Sequence, residues 1–157
     1  MPDSTDLSQW EYQKLADFRY QVRRFLRLSE EAAREEGLEV QQHQFLLAIR
    51  AHTGDSAPTV GELADRLLIR HHSAVGLADR LAARGLVRRV VGERDRRQVH
   101  VQLTETGGEI LTRLSWLHRE ELQHSGPQLL EALRESMSKG DSVASLPVGR
   151  CTIEKRA

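Results

Sequence analysis

The chain has 157 residues, equal numbers of acidic and basic side chains and 39% hydrophobic residues, enough for one folded domain with its own core. No apolar run approaches the roughly 18 residues that a membrane span needs, and residues 1–8 lack the basic and apolar parts of a signal peptide. We therefore expect a cytoplasmic protein. The single cysteine, Cys151, cannot form an intramolecular disulfide, in agreement with a reducing compartment.

Apolar residues at helical spacing predict two helices at the start of the chain. A long first helix is expected over roughly 7–35 and ends at Gly37. The residues that mark its apolar face are Leu15, Phe18, Val22 and Phe25. A second helix is expected over about 41–51.

Two shorter helices follow. Thr59 and Glu62 have the spacing of a capping box, in which each side chain satisfies the other residue's backbone N–H, so a third helix is predicted to begin there. A break near residues 69–70 precedes a fourth helix. That helix is expected to run to Arg84, with Gly85 as its C-terminal cap.

The remaining sequence predicts a β-hairpin and further helices. The hairpin is expected over 86–103, with a charged loop at 92–98 and alternating apolar and polar residues in its second strand. A long helix is expected over 104–124. Pro127 is predicted to open a separate final helix that ends near residue 139, and 140–157 to form a loose tail.

The zero net charge conceals a strongly basic segment. Residues 66–97 carry nine arginines and three acidic residues, a net charge of +6, whereas residues 1–62 carry a net charge of −4. The planar guanidinium of arginine suits phosphate and guanine, and concentrated charge is typical of a protein with a polyanionic partner. A solvated basic surface is the alternative reading of this pattern.

The fourth helix and the loop after it have the pattern of a winged helix-turn-helix. The helix has a small, polar face near its N-terminus, which would allow a close approach to a major groove, and arginines at a hairpin tip suit a narrow minor groove. Asp95 could hold Arg97 in a defined pose. The candidate DNA-binding residues are Arg70, His71, His72, Ser73, Gly76, Arg80, Arg94, Asp95, Arg96 and Arg97.

Three runs of sequence resemble the MarR family of winged helix-turn-helix transcriptional regulators. They are LAARGLVRR at 81–89, DRR at 95–97 and VQLTETG at 101–107, within a resemblance that covers about residues 7–138. The resemblance implies that Arg97, oriented by Asp95, enters the minor groove. It also implies a homodimer formed by the first, fifth and sixth helices, a pseudo-palindromic duplex operator, and repression as the output.

The resemblance further implies an effector pocket between the dimer helices and the winged region, often used by phenolic or other aromatic acids. Trp10, His43 and Trp116 are the candidate residues for this small-molecule partner. The sequence departs from the family at Arg70, where an N-capping Asp or Ser is common. It departs again after Ser138, where the amphipathic pattern does not continue.

Other functions are alternatives. The sequence lacks a nucleophile elbow, a phosphate loop and a dinucleotide fingerprint, so we expect no catalytic residue, no cofactor and no enzyme. A winged helix that binds protein instead of DNA is one alternative. A zinc- or redox-sensing regulator of the same fold is another, in which His43, His118 and His124, or Cys151, would respond, although no local zinc-site spacing is present.

These expectations define a mainly α fold with a small β-hairpin wing. The predicted parts are an N-terminal dimerisation helix (1–36), a winged helix-turn-helix (37–103), C-terminal dimerisation helices (104–139) and a flexible tail (140–157).

Overall fold

The computed structural model describes residues 7–92 and 98–138, and these contain five helices and one two-stranded antiparallel sheet. In chain order they are α1 (Gln9–Glu35), α2 (Val40–Arg50), α3 (Val60–Arg66), α4 (His71–Ala83), β1 (Val87–Val91), β2 (Val99–Leu103) and α5 (Glu105–Met137). The predicted mainly helical fold with a hairpin wing is confirmed. The predicted loop tip and the predicted tail lie outside the described residues. Within the described ranges, no helix is long and apolar enough to cross a membrane.

The two long helices, α1 and α5, pack against each other in antiparallel orientation. Polar contacts connect them near both ends and in the second half of α5. These contacts are Lys14–Glu135 (2.8 Å), Arg24–Gln128 (3.0 Å) and Arg113–Glu36 (2.8 and 2.9 Å). The two helices therefore lie side by side along their lengths.

Helix α5 is continuous through Pro127, so the predicted break before this residue and the predicted separate final helix are wrong. Proline removes one intrahelical hydrogen bond and usually ends or kinks a helix. Here α1 packs along α5 on both sides of Pro127, and the Arg24–Gln128 contact lies one residue beyond it. Tertiary packing thus outweighs the local cost, and the fifth and sixth helices of the prediction are one helix.

Helices α1, α3 and α4 end in the same way, with a residue in the left-handed conformation. In α4 the N–H of Leu86 bonds to the carbonyl of Leu81 at 3.0 Å, and Gly85 (φ +68°) makes the turn. Gly37 (φ +71°) makes the equivalent turn after α1. The predicted caps at both glycines are confirmed. After α3 the left-handed residue is Leu68 (φ +54°), and its turn leads directly into α4.

The core lies where α2, α3, α4, the hairpin and the first half of α5 meet. Its largest fully buried side chains are Phe45, Leu38, Leu46, Leu63, Leu77, Leu81, Leu114 and Val101. The predicted capping box also forms: the Thr59 hydroxyl accepts from the Glu62 N–H at 3.2 Å, and the Glu62 carboxylate accepts from the Thr59 N–H at 2.7 Å. The core holds α3 and α4 together and leaves one side of α4 uncovered.

The start of α5 fits closely against the turn after α4. The Thr104 hydroxyl donates to the Gly85 carbonyl at 2.7 Å and accepts from the Gly107 N–H at 3.1 Å. Gly107 is buried, and a Cβ at this position would overlap the carbonyl oxygen of Leu86. The LTETG run therefore joins the long helix to the winged region through a contact that only glycine permits.

Candidate nucleic-acid interface

Helix α4 buries one side and presents the other to solvent. Its buried residues are Ala74, Leu77, Ala78 and Leu81. On the other side His72 and Arg80 are exposed, while Ser73 and Gly76 are half-buried. These four residues are spaced so that they share one side of the helix. Together with Arg70 and His71, which are exposed at its start, they form the candidate surface.

The N-terminus of α4 is open to an external anion. Arg70 is the N-cap residue, and its side chain makes no capping hydrogen bond. Its carbonyl accepts the N–H groups of Ser73 (2.9 Å) and Ala74 (3.1 Å), so the helix begins at His71 without the Asp or Ser that is common in the family. The first N–H groups of a helix attract negative charge. A phosphate at this end would supply the missing cap.

The arginines of the basic segment divide into two groups. Arg66, Arg70 and Arg80 are exposed and form no ion pair with any residue that the structure describes. Arg84, Arg88 and Arg89 instead make contacts within the protein. Arg84 contacts Gly37 and Gln42, Arg88 contacts Gln102, and Arg89 contacts Asp79 and Val75. The sequence did not distinguish these groups, because spacing does not show which arginines find internal acceptors.

Arg89 attaches the hairpin to α4. Its guanidinium forms an ion pair with Asp79 (3.0 Å) and donates to the carbonyl of Val75 (3.3 Å). Asp79 lies on the exposed side of α4, where an unpaired carboxylate would repel phosphate. The contact therefore reduces an unfavourable charge on this surface and fixes the base of the hairpin beside α4.

Four candidate residues lie outside the described residues, namely Arg94, Asp95, Arg96 and Arg97. The last paired residues of the hairpin on either side are Val91 and Val99. The four candidates lie between these two residues in sequence, and their predicted contacts stay predictions.

The three candidate effector residues do not lie together. Trp116 is 60% exposed and lines a cleft of about 280 Å³ with Arg50 of α2 and Arg119 of α5. The guanidinium of Arg119 lies 5.6 Å from the centre of the Trp116 indole. Trp10 is near the N-terminus of α1, beside the C-terminal end of α5. His43 is buried and does not line this cleft.

The imidazoles of His43 and His118 form a pair between α2 and α5, with ring centres 4.7 Å apart; His43 is buried and His118 half-buried. Burial lowers the pKa of His43 to about 4, with a smaller contribution from the charge of His118. Burial also lowers the pKa of His118, opposed by a contact with the Ser29 backbone. Both imidazoles are therefore neutral at pH 7. His43 and His118 were both candidate residues from the sequence, but a contact between them was not predicted.

A metal centre is not assembled in the part of the chain that the structure describes. Within residues 7–92 and 98–138, no group of three or more His, Cys, Asp or Glu side chains is placed to hold a metal ion. His124 is exposed on α5, apart from the pair formed by His43 and His118. Cys151 lies outside the described residues.

Comparison with known proteins agrees with this geometry. The sequence profile of the MarR family matches residues 36–98. Among curated proteins, none matches the chain. The chain is similar to AbsC, a MarR family transcriptional regulator from Streptomyces coelicolor, with a TM-score of 0.71 and 23% identity over 84% of this chain and 90% of AbsC.

Two further structures have the same fold. A mutant of MepR from Staphylococcus aureus, bound to an oligodeoxyribonucleotide, has a TM-score of 0.61 and 22% identity over 84% of this chain and 91% of its own. BpsR from Bordetella bronchiseptica, whose DNA binding is regulated by 6-hydroxynicotinic acid, has a TM-score of 0.58 and 20% identity over 76% of this chain and 95% of its own. Residues 36–98 are thus a MarR-family segment, set in a chain that has the fold of the MarR-family transcription regulators.

Proposed function

We propose that this protein is a homodimeric, sequence-specific DNA-binding repressor that a small effector releases from its operator. The observation that carries the proposal is the open N-terminal end of α4, where uncapped N–H groups and the exposed side chains of Arg70, His71 and His72 lie together. The MepR mutant of the same fold is bound to an oligodeoxyribonucleotide, which supports a duplex as the partner.

The candidate residues contact three parts of the duplex in this proposal. The exposed side of α4 enters the major groove, which is wide enough for a helix, and Ser73 and Arg80 contact base edges there. Arg70 and His71 contact phosphate at the start of the helix. Gly76 has no side chain, so the helix backbone can approach the groove closely at the middle of this surface. The arginines at the hairpin tip, Arg97 above all, reach into the neighbouring minor groove.

The proposed dimer interface lies at the paired ends of α1 and α5. Large apolar side chains are exposed there, and exposed apolar surface of this kind marks an association site. They include Leu7 (44% exposed), Trp10 (36%), Leu15 (40%), Leu130 (65%), Leu133 (38%) and Met137 (75%). A twofold dimer would place two α4 helices about 34–36 Å apart, one turn of DNA, and so requires a pseudo-palindromic operator.

The proposed effector is an aromatic carboxylate that binds in the cleft beside Trp116. The indole offers a flat surface to a ring, and Arg50 and Arg119 offer two cations to a carboxylate. The cleft lies between the end of α2 and the first half of α5, so a ligand there would contact both the winged region and the long helix. Regulation of BpsR by 6-hydroxynicotinic acid supports this class of ligand. A cytoplasmic location follows from the proposed function.

Selection of bound fragments from a random duplex pool tests the proposal. We expect recovery of inverted repeats with half-site centres about 10 base pairs apart, and weaker binding after Arg97→Ala. Ser73→Ala and Arg80→Ala should change base preference, each by about 1–3 kcal/mol at one position. Equal binding to all duplexes, or no binding at low salt, would contradict the proposal.

Aromatic acids added to the complex should then release the DNA, and Trp116→Ala should prevent this release.

A further inference from the structure

The turn between α1 and α2 receives a side chain from the end of α4. Arg84, the residue directly after α4, donates through Nη1 to the Gly37 carbonyl at 2.8 Å and to the Gln42 side-chain oxygen at 3.1 Å. Gln42 is only 4% exposed, and the same oxygen accepts the N–H of Glu39 at 3.1 Å. The Arg84 guanidinium therefore donates to two acceptors, one in the turn itself and one on α2, and the acceptor residue on α2 is buried.

The same turn is also fastened to α5. Arg113 binds both carboxylate oxygens of Glu36 in a fork, at 2.9 and 2.8 Å. This contact lowers the pKa of Glu36 and raises that of Arg113. Because Glu36 directly precedes Gly37, the contacts from α5 and α4 meet at adjacent residues. A continuous polar connection thus runs from the long helix through the turn to α4.

The guanidinium of Arg84 lies against Gly37. A Cβ built on Gly37 would lie 3.5 Å from Nη2 of Arg84, an ordinary contact distance, so the guanidinium is directly adjacent to the turn. Gly37 also needs its left-handed φ of +71° to form the turn. The backbone of the turn therefore sets the Gly37 carbonyl, the Glu39 N–H holds the Gln42 side-chain oxygen, and Arg84 fixes the C-terminal end of α4 to both acceptors.

A small tilt at the C-terminal end of α4 would displace its N-terminal end. Helix α4 has 13 residues, which corresponds to a length of about 20 Å. A tilt of about 5° at its C-terminal end would move its N-terminal end by about 2 Å at this length. Hydrogen bonds to base edges tolerate only a few tenths of an ångström, so a tilt of this size would break them. The C-terminal attachment therefore controls contacts that form at the other end.

We infer that Arg84 is a positioning residue for DNA binding: it does not touch the duplex, but sets the angle of α4 against the α1–α2 turn to which Arg113 fastens α5. The inference rests on the proposed function. It also gives a route by which movement of the long helices reaches the DNA-binding surface.

Affinity for a selected duplex, measured by fluorescence anisotropy at several salt concentrations, tests the inference. Arg84→Gln should weaken binding about tenfold while the slope of log affinity against log salt stays unchanged, because no phosphate contact is lost. Arg27→Gln is the matched control, since Arg27 is exposed on α1, outside the basic segment, and its guanidinium contacts Glu31 one turn along the same helix. It should change affinity less than twofold. The double variant Gln42→Leu/Arg84→Gln should lose less affinity than the product of the two single fold-losses, because both substitutions remove the same contact.

Each other outcome has a distinct meaning. Unchanged affinity of Arg84→Gln, or a slope reduced by about one phosphate, would overturn the inference and leave the proposed function intact. Failure of the unaltered protein to bind any duplex would overturn both. If Arg84→Gln does not fold, Arg84→Lys, which keeps the charge and most of the stem, replaces it. It should bind severalfold more weakly with an unchanged slope, and wild-type affinity would overturn the inference.

Discussion

At the scale of single residues, Leu68 adopts a backbone conformation that side chains other than glycine rarely take. Its φ is +54° and its side chain is 93% exposed, so burial does not offset the strain. Leu68→Gly should raise the free energy of unfolding by about 1 kcal/mol, after part of the relieved strain is lost to the greater freedom of glycine in the unfolded chain. Urea unfolding measures this change.

Gly85 provides the opposite case for the same measurement. It has a similar φ of +68°, and no other atom lies within 4 Å of a Cβ built there. Gly85→Ala should therefore destabilise the protein by about 1 kcal/mol through strain alone. A loss of stability on Leu68→Gly would show that the exposed leucine side chain stabilises the turn and that the strain argument is wrong.

The buried imidazole of His43 predicts that stability depends on pH. Its pKa is about 4 in the folded protein, whereas an unperturbed histidine has a pKa near 6.5. The unfolded state therefore binds more protons between these two values. The free energy of unfolding should fall as the pH falls from about 6.5 to about 4, by about 2 kcal/mol after allowance for residual solvent screening, and this contribution should fall no further at lower pH.

Urea unfolding at pH 7 and pH 4.5 checks the pH prediction. His43→Leu should reduce the pH dependence, because the proton-binding group is absent from both states. His124→Leu, on an exposed part of α5, should retain it. Equal pH dependence in both variants would assign the effect to groups other than His43.

At the scale of elements, the junction between the winged region and α5 depends on Gly107. Gly107→Ala should cost about 1–3 kcal/mol, because the added methyl group would overlap the Leu86 carbonyl and force the backbone apart. Gly108→Ala is the control. This neighbouring helical position has no other atom within 4 Å of a Cβ, and alanine there should stabilise the protein by about 0.5–1 kcal/mol. The midpoint of thermal unfolding should fall for Gly107→Ala and rise for Gly108→Ala. Midpoints that shift in the same direction would contradict the close contact.

Most elements could be predicted because their signals are local. The capping box at Thr59, the glycine turns at Gly37 and Gly85, and the apolar spacing of α4 each act over a few residues. The resemblance to the MarR family, stated from three short runs of sequence, is confirmed. The continuation of α5 through Pro127 was not predicted, because it depends on packing against α1, more than a hundred residues away in sequence.

The candidate site shows the same division. The exposed side of α4 follows from helical periodicity, so its members could be named from the sequence. The internal roles of Arg84 and Arg89 could not, since their acceptors, Gly37 and Asp79, are identified only when distant elements pack. Leu68 gave no signal either, because a left-handed turn is normally indicated by glycine or asparagine.

At the scale of the whole molecule, charge is separated between the two functional parts. The net charge is −4 over residues 1–62, which include α1 and α2, and +6 over residues 66–97, which include α4 and the wing. Such a distribution orients a protein that approaches DNA, because the basic side is attracted and the acidic helices are repelled. In the proposed function, cationic side chains that reach phosphate, such as Arg70, contribute affinity, while the exposed surface of α4 contributes sequence preference.

In the proposed complex, α4 and the wing dock into duplex grooves twice, across a twofold axis. Hydroxyl-radical footprinting of the protein on a selected duplex tests this arrangement. We predict two equal protected regions, related by the symmetry of the sequence and separated by about one helical turn of 10–10.5 base pairs. A single protected region, or protection that does not follow the symmetry of the sequence, would contradict it.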